Sequence, residues 1–450
     1  MLTEFDGEGN NEQLLLLHLS DIHFREPYCL NSETDQDNSV RTALLNDIRE
    51  MVDRLGVIDA IIISGDIAFK GHSDEYKVAT EWLLEVTNIA GCPPTSIYTV
   101  PGNHDVDRGT ANSRVVLGVR ELIQKKEAGP HRDKELHDTI LDQSGLELFK
   151  PMAEYNRFAA PFECAIDAEQ PFWTKDLPIA PGWKLKMHGL TTTLFSGPGN
   201  DVKGSLYLGA LQRAFAPDDG IIRLATMHHP PDWLGDADEL DDALWEHCAL
   251  HLFGHKHRQR YLPSDNSVRF AAGAVNPDRG EGNWEPGYNL IRLQVNSETT
   301  QHVLHVESYL RVWQTAPDLF VGKTNGDGND VFKHQILLRR NPSPISENFN
   351  KQNTQTGLQP EEKANIEDAE KLAVVTNEND SNQMHQRDIA FHFWELTASD
   401  RRKVMQTLNL LEADDDKLPE PQRYRRAFKR AQERGMFSDI EQAIKEVMRN

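Results

Sequence analysis

Five short polar clusters constrain this chain more than any other feature, because most of them directly follow an apolar run of strand length. They are Ser20-Asp21-Ile22-His23, Gly65-Asp66, Gly102-Asn103-His104-Asp105, His228-His229-Pro230 and Gly254-His255-Lys256-His257. The runs expected as strands are Leu14–Leu19, Ala60–Ser64, Ile97–Val100, Lys186–Phe195, Ile221–Met227, Ala249–Phe253, Val268–Ala274, Tyr288–Val295 and Val303–Val312. Stretches such as Ile61-Ile62-Ile63 have no polar alternation, the mark of strands buried on both faces. Between the first two runs, Leu44, Ile48, Val52 and Leu55 share one helical face. A second helix is expected over Tyr76 to Ile89. Strand, helix, strand in this order is a layered α/β fold. Sites in such sheets gather outside the carboxyl ends of strands, so the five clusters are expected to meet in one crevice.

Length and charge narrow the function. A chain of 450 residues predicts two or three domains. Its 48 basic and 71 acidic side chains give a formal net charge of -23, which disfavours a protein that coats a nucleic-acid backbone. No apolar run reaches the roughly 18 residues of a membrane span. Met1 to Asn10 is acidic and lacks a signal core, so a cytoplasmic location is expected. The cysteines, Cys29, Cys92, Cys164 and Cys248, are scattered and read as free thiols.

Composition divides the chain. Residues 1–340 carry the strand and helix rhythm and form the expected catalytic domain. Within it, 107–181 reads as a cap or insertion, with a charged helix near Val115–Lys126 and several prolines. Residues 341–385 are rich in Asn, Gln, Glu and Ser and read as a flexible linker. Residues 386–450 read as a small all-α bundle for partner binding or oligomerisation. Its stripes are Val404, Leu408, Leu411; Tyr424, Phe428, Ala431; and Ile440, Ile444, Val447. Thr397 with Asp400 and Ser438 with Glu441 are helix-start signatures, and Gly435 is a helix stop. From Arg387 onward the charge is balanced, 13 basic against 12 acidic. The second helix is nonetheless strongly basic, through Arg423, Arg425, Arg426, Lys429, Arg430 and Arg434. It suits nucleic acid or an acidic partner, and the Asp414-Asp415-Asp416 run could equally pair with it.

Oxygen and imidazole donors of the kind in the five clusters bind borderline divalent metals. Outside the clusters, His188, His247 and His251 read as packed or surface residues. The ordered set Asp-x-His, Gly-Asp, Gly-Asn-His-Asp, His and Gly-His-x-His resembles the calcineurin-like metallophosphoesterase superfamily over residues 14 to about 300. The resemblance implies a four-layer α/β/β/α sandwich with two divalent metal ions drawn from Mn, Fe, Zn or Ni, Mn being favoured. It implies Asp21, His23 and His257 on one ion, Asn103, His228 and His255 on the other, and Asp66 bridging both. His228 is preferred to His229, because the family places the ligand two residues before a proline, although His229 also precedes a proline by two and stays an alternative. His104 would be the catalytic histidine, and Asp105 and Arg108 groups beside it or facing substrate. Two such ions lower the pKa of a shared water toward ~7, and the hydroxide attacks phosphorus in line. His104 would then protonate the leaving oxygen.

The branch of the family is partly legible. Protein Ser/Thr phosphatases of this superfamily carry Gly-Asp-x-Val-Asp-Arg-Gly and Gly-Asn-His-Glu, whereas this chain has Gly65-Asp66-Ile67-Ala68-Phe69-Lys70-Gly71 and Asp105. The His-His-Pro-Pro turn looks more like the phosphodiester-cleaving branches. The expected substrate is therefore a nucleotide or nucleic-acid phosphodiester, with Arg258 and Arg260 as further phosphate-side candidates. A phosphomonoesterase and a non-catalytic scaffold on a vestigial fold are the rivals. The helical tail resembles effector-associated or death-like adaptor domains of bacterial conflict systems, which implies a defence effector joined to a partner.

Overall fold

The computed structural model describes residues 13–216, 218–277, 280, 284–296, 302–338 and 385–449. Two sheets carry the main domain. The first orders its strands β12-β11-β10-β1-β2-β3, with β13 also on β11; the second runs β4-β5-β6-β7-β9-β8. Here β1 is Gln13–Leu19, β2 Ala60–Ile63, β3 Ile97–Thr99, β4 Trp173–Ala180, β5 Trp183–Gly189, β6 Ile221–Met227 and β7 Leu250–Phe253. The remainder are β8 Arg260–Ser264, β9 Ser267–Ala271, β10 Gly287–Asn296, β11 His302–Gln314, β12 Leu319–Gly322 and β13 Phe332–Leu338. Strands β1, β2 and β3 are parallel, as are β5, β6, β7 and β9. Every residue of β2 is buried, as its unbroken apolar run requires. The helix Asn38–Leu55 buries Leu44, Ile48 and Met51, and Ser73–Ala90 packs beside it.

Two expectations shift. The run Lys186–Phe195 is a strand only to Gly189, because Leu190 to Phe195 form a buried loop beside the histidine turn. The stretch 107–181 holds the helices Arg108–Ala111, Arg114–Gln124, Pro130–Leu141, Gly145–Phe149 and Ala153–Ala159, but its last residues are β4, which pairs antiparallel with β5. That part of the expected insertion therefore belongs to the second sheet. The expected linker, 341–385, lies outside the described residues except for His385.

Among the described residues the helical tail has four α-helices rather than three: 385–395, Ala398–Thr407, Glu420–Arg434 and Phe437–Met448. Ile389, Phe393 and Leu396, spaced i, i+4, i+7, bring the first into the core with Val404, Met405, Tyr424 and Ile440. Thr397 caps the second by accepting from Asp400 N. Ser438 lies inside the last helix rather than capping it. The second helix ends at Thr407, before Leu408 and Leu411, whose stripe continues past it.

The basic helix of this tail is neutralised within the chain. Arg430 pairs with Asp415 at 2.6 Å and Glu412 at 3.1 Å, and Arg423 and Arg434 donate to backbone carbonyls. Arg425 reaches Asp167 at 2.5 Å and Arg426 pairs with Glu169, both in the main domain. These pairs favour the acidic-run reading over the nucleic-acid one, leaving Lys429 exposed.

Arg387 fastens the tail to the main domain. It is 6 % exposed. Its Nη2 donates to Thr95 O at 2.6 Å and Phe162 O at 3.2 Å, and its guanidinium lies 4.5 Å from the Tyr98 ring centroid. Removing a buried charge with these acceptors leaves carbonyls without donors. Arg387→Met is expected to lower unfolding stability by on the order of 3 kcal/mol in urea melts.

His251 gives the main domain an acid limit. Its Nε2–H faces Leu244 O and Cys248 O, both at 3.0 Å, and its Nδ1 accepts from Arg269 Nε at 3.3 Å. Burial and the neighbouring Arg269 push it down to about 4 from 6.5, and burial does the same to His188. The unfolded chain takes up these protons near 6.5 and the folded one near 4, so stability is complete above the first value and falls between them. Urea melts are expected to show a loss between pH 6.5 and 4 that is smaller in His251→Gln.

Candidate metal centre

All five clusters sit at the carboxyl ends of parallel strands. Asp21 and His23 follow β1, Asp66 follows β2, and Asn103 and His104 follow β3. His228 follows β6, and His255 and His257 follow β7. The two sheets thus each present strand ends to the same crevice, the first giving both carboxylates, an amide and two imidazoles and the second only imidazoles.

The local backbone is strained where these residues turn inward. Asp21, His23, Asp66, His255 and His257 all have φ between 49° and 67°. They are five of the eight described non-glycine residues in the left-handed region. Such conformations cost roughly 1–3 kcal/mol each and persist only where surroundings enforce them. The enforcement is visible. Asp21 N donates to Gly65 O at 3.0 Å, and Ile22 N and His23 N both donate to Asp66 O, at 2.8 and 3.0 Å. Asn276 holds the loop from its other side, through its N to Asp21 O and its Nδ2 to Ile22 O.

Two glycines are required by close approach. A Cβ on Gly102 would lie 2.1 Å from Asp66 Oδ1, and one on Gly254 2.1 Å from Ser20 Oγ. The first explains why a glycine precedes Asn103, and the second why one precedes His255.

The donor atoms converge as follows. Asp66 Oδ2 lies 3.2 Å from His23 Nε2 and 3.2 Å from His228 Nε2. Asn103 Oδ1 lies 3.0 Å from both His228 Nε2 and His255 Nδ1. Asp21 Oδ1 lies 3.2 Å from His257 Nε2. Donors of Asp21, His23 and His257 fall within 4.8 Å of one another, as do those of Asp21, Asp66 and His228. The outer nitrogens of His23 and His228 face the carbonyls of Asn276 and Ser64, at 3.1 and 2.9 Å. Each anchor fixes a tautomer whose Nε2 lone pair points inward, the usual arrangement of a metal-ligating imidazole.

The electrostatics fit a cation site. Asp21 and Asp66 are buried close together, and no lysine or arginine pairs with either among the described residues. Burial alone would raise Asp66, but the imidazoles of His228, His104 and His23 outweigh it and hold the carboxyl well below its usual range. Burial opposes charge on His228, yet Asp66 and Asp21 push it up to about 9. The carboxylates thus recruit protons onto imidazoles where cations would serve. Mixed imidazole and carboxylate donors suit Mn, Fe, Zn or Ni.

His229 lies in the same crevice. It is fully buried, its Nδ1 is 2.9 Å from Thr192 Oγ1, and its Nε2 has no hydrogen-bond partner among the described residues. It groups with His228 and His255, but His228 is the one that touches both Asp66 and Asn103. His104 stands beside the cluster. Its backbone N donates to Asp66 Oδ1 at 2.8 Å, and its Nδ1–H donates to Phe69 O at 2.8 Å. Burial lowers its pKa.

Asp105 is not a substrate-side group. It is 1 % exposed and accepts from Gly102 N at 2.8 Å, Ala68 N at 3.0 Å, Ile67 N at 3.3 Å and Tyr76 Oη at 2.8 Å. It ties the Asp66 loop to the Asn103 loop from below. Arg108, Arg258 and Arg260 are exposed. Asn276 and Trp233, whose ring lies 4.0 Å from that of His255, are neighbours that no sequence motif marks, and Phe69 lies within the Gly65–Gly71 stretch but is not marked by it as a site residue.

A family model for a GTPase-associated adaptor domain matches residues 385–446. A metallophosphoesterase-like protein of Bacillus subtilis is 28% identical over 128 residues, 28% of this chain and 24% of that protein. A glycerophosphodiester phosphodiesterase of Enterobacter lignolyticus is 34% identical over 95 residues, 20% of this chain and 30% of that protein. The chain therefore spans less than a third of either curated relative. Among solved structures, the Plasmodium inner-membrane-complex anchor GAP50 is 12% identical, with a TM-score of 0.32 over 73% of this chain and 90% of its own. Vps29 of Chaetomium thermophilum is 9% identical, with a TM-score of 0.28 over 72% of this chain and 98% of its own. The model for calcineurin-like phosphoesterases matches residues 14–259, more than half of the sequence and all five clusters, and the chain belongs to that family.

Proposed function

We propose that the protein is a dinuclear metal-dependent phosphodiesterase acting on a nucleotide or nucleic-acid phosphodiester. The observation that carries this reading is the Asp66 carboxylate, whose Oδ2 stands 3.2 Å from an imidazole on each side. A carboxylate so placed can serve two cations at once. Asp21, His23 and His257 would hold one ion, and Asn103, His228 and His255 the other. Manganese is the favoured metal. Bound divalent ions supply charge neutralisation for the phosphoryl oxygens and an activated water at neutral pH.

The chain's own residues supply the rest. The buried carboxylates fix the donor geometry before substrate arrives. His104, held at Nδ1 by a carbonyl, keeps Nε2 as the atom that passes a proton to the leaving oxygen. The diester preference draws support from the glycerophosphodiester phosphodiesterase relative. The net charge of -23 and the internally paired basic helix favour small or single-stranded substrates over long duplexes. The adaptor-domain match favours a protein partner at 385–446, a GTPase by that family's name. We further propose a cytoplasmic role as a defence effector.

The test compares an aryl diester, an aryl monoester, a cyclic nucleotide and single-stranded DNA with Mn²⁺. Diester turnover that chelator abolishes is expected, and monoester-only turnover would overturn the diesterase reading. His104→Ala should keep its metal and lose on the order of 10²–10⁴ in kcat. Gly102→Ala should lose metal by elemental analysis, because its Cβ would meet Asp66 Oδ1 at 2.1 Å.

A further inference from the structure

His104 is held by more than its one hydrogen bond. The residue that accepts from its Nδ1–H through a carbonyl, Phe69, also lays its ring against the imidazole. The centroids are 4.7 Å apart and the planes differ by 20°. The ring of His23 meets the same imidazole edge-on, at 4.9 Å and 67°. Phe69 is itself backed by Arg25, whose guanidinium lies 4.0 Å from its ring centroid. Arg25 Nε stands 3.6 Å from Asp37 Oδ2, just ahead of the helix Asn38–Leu55.

A single hydrogen bond fixes one point of an imidazole and leaves its plane free to swing about that point. A stacked ring fixes the plane. Phe69 does both, since its carbonyl sets the tautomer and its side chain sets the orientation. It occupies the place where the protein-phosphatase pattern carries its second aspartate.

We propose that Phe69, backed by Arg25, is the positioning residue of His104 and holds Nε2 toward the oxygen that leaves phosphorus. This rests on the reading of His104 as the proton donor. As the bond between phosphorus and the leaving oxygen breaks, the oxygen takes the proton from Nε2 and the bonding electron pair. The ring becomes neutral, with its remaining proton on Nδ1 and still donated to Phe69 O.

The test uses the full-length, metal-loaded protein with two diesters. One releases p-nitrophenolate, which needs little protonation, and the other releases an alkoxide, which needs it fully. Phe69→Leu keeps bulk and the backbone carbonyl but loses the stack. It should lower kcat for the alkyl diester about tenfold with KM within about twofold, and change the aryl diester less than about threefold. Phe69→Tyr should restore the alkyl rate. In Phe69→Leu with His104→Ala, the rate should equal that of His104→Ala alone. Equal losses on both diesters, or losses that multiply in the double variant, would overturn the role of Phe69. Arg25→Met gives the same readout from the far end of the stack should Phe69→Leu fold poorly. It should show a smaller loss with the same leaving-group preference, and equal losses on both diesters would again overturn the proposal. A His104→Ala protein that keeps the wild-type alkyl rate would remove the proton-donor reading itself. An impaired His104→Ala beside an unimpaired Phe69→Leu would remove only the role of Phe69.

Discussion

Three strand-end loops meet on one residue, Asp66. Its carbonyl accepts from Ile22 N and His23 N, fixing the loop after β1. Its Oδ1 accepts from His104 N, fixing the loop after β3. Its Oδ2 faces His23 and His228, the latter from the other sheet. The parallel register of β1 with β2, Leu19 opposite Ile63, delivers these loops side by side. Without that register, the donors would remain separate accidents of sequence. With it, a buried carboxylate stands between imidazoles of both sheets, and its negative charge is balanced only by them or by cations.

The cost of this arrangement is spread over the same loops. Five left-handed residues in one crevice cost several kcal/mol in total, and a marginally stable fold tolerates that only with compensation elsewhere. The compensation is structural. Asp105 accepts four hydrogen bonds from two loops and a tyrosine, and Asn276 binds the third. Buried apolar strands beneath, β2 above all, supply the rigid floor. Strain that would be a defect in a surface loop here keeps the carboxylates and imidazoles aimed at a common point before any ligand binds.

The sequence made the strand-end clusters legible because motif and strand boundary coincide, and the glycines mark where backbone must approach backbone. It did not reveal the direction of each side chain. Asn103, His104 and Asp105 form one 3-10 turn, in which successive residues point about 120° apart. Adjacent letters therefore serve three ends: Asn103 faces His228 and His255, His104 faces Phe69, and Asp105 faces the backbone below. Of the two places open to Asp105, beside His104 or facing substrate, its burial agrees with the first. Lys186–Phe195 misled for a physical reason. Burial on all sides makes a loop as apolar as a strand, and only the Thr191-Thr192-Thr193 run hints that it turns to meet His229. Four strands escaped notice, β4 among them, because its burial is mixed along an edge. The first tail helix was hidden by its polar surroundings, although Ile389, Phe393 and Leu396 have the right spacing.

Charge shows the same gap between composition and placement. A basic helix invites a phosphate backbone, but an arginine attracts only what its existing partners leave free. Arg423, Arg425, Arg426, Arg430 and Arg434 are each committed, to Asp415, Asp167, Glu169 and nearby carbonyls. Two of those bonds cross to the main domain and, with buried Arg387, make the tail a fixed neighbour of β3. The helix therefore does its electrostatic work inward. The carboxyl end of β3 carries Asn103 and His104, while the carbonyls of Ile97 at its start and of Thr95 in the turn before it receive Arg387. One short strand thus lies between the carbonyls that hold the Arg387 side chain of the tail and the loop that carries Asn103 and His104.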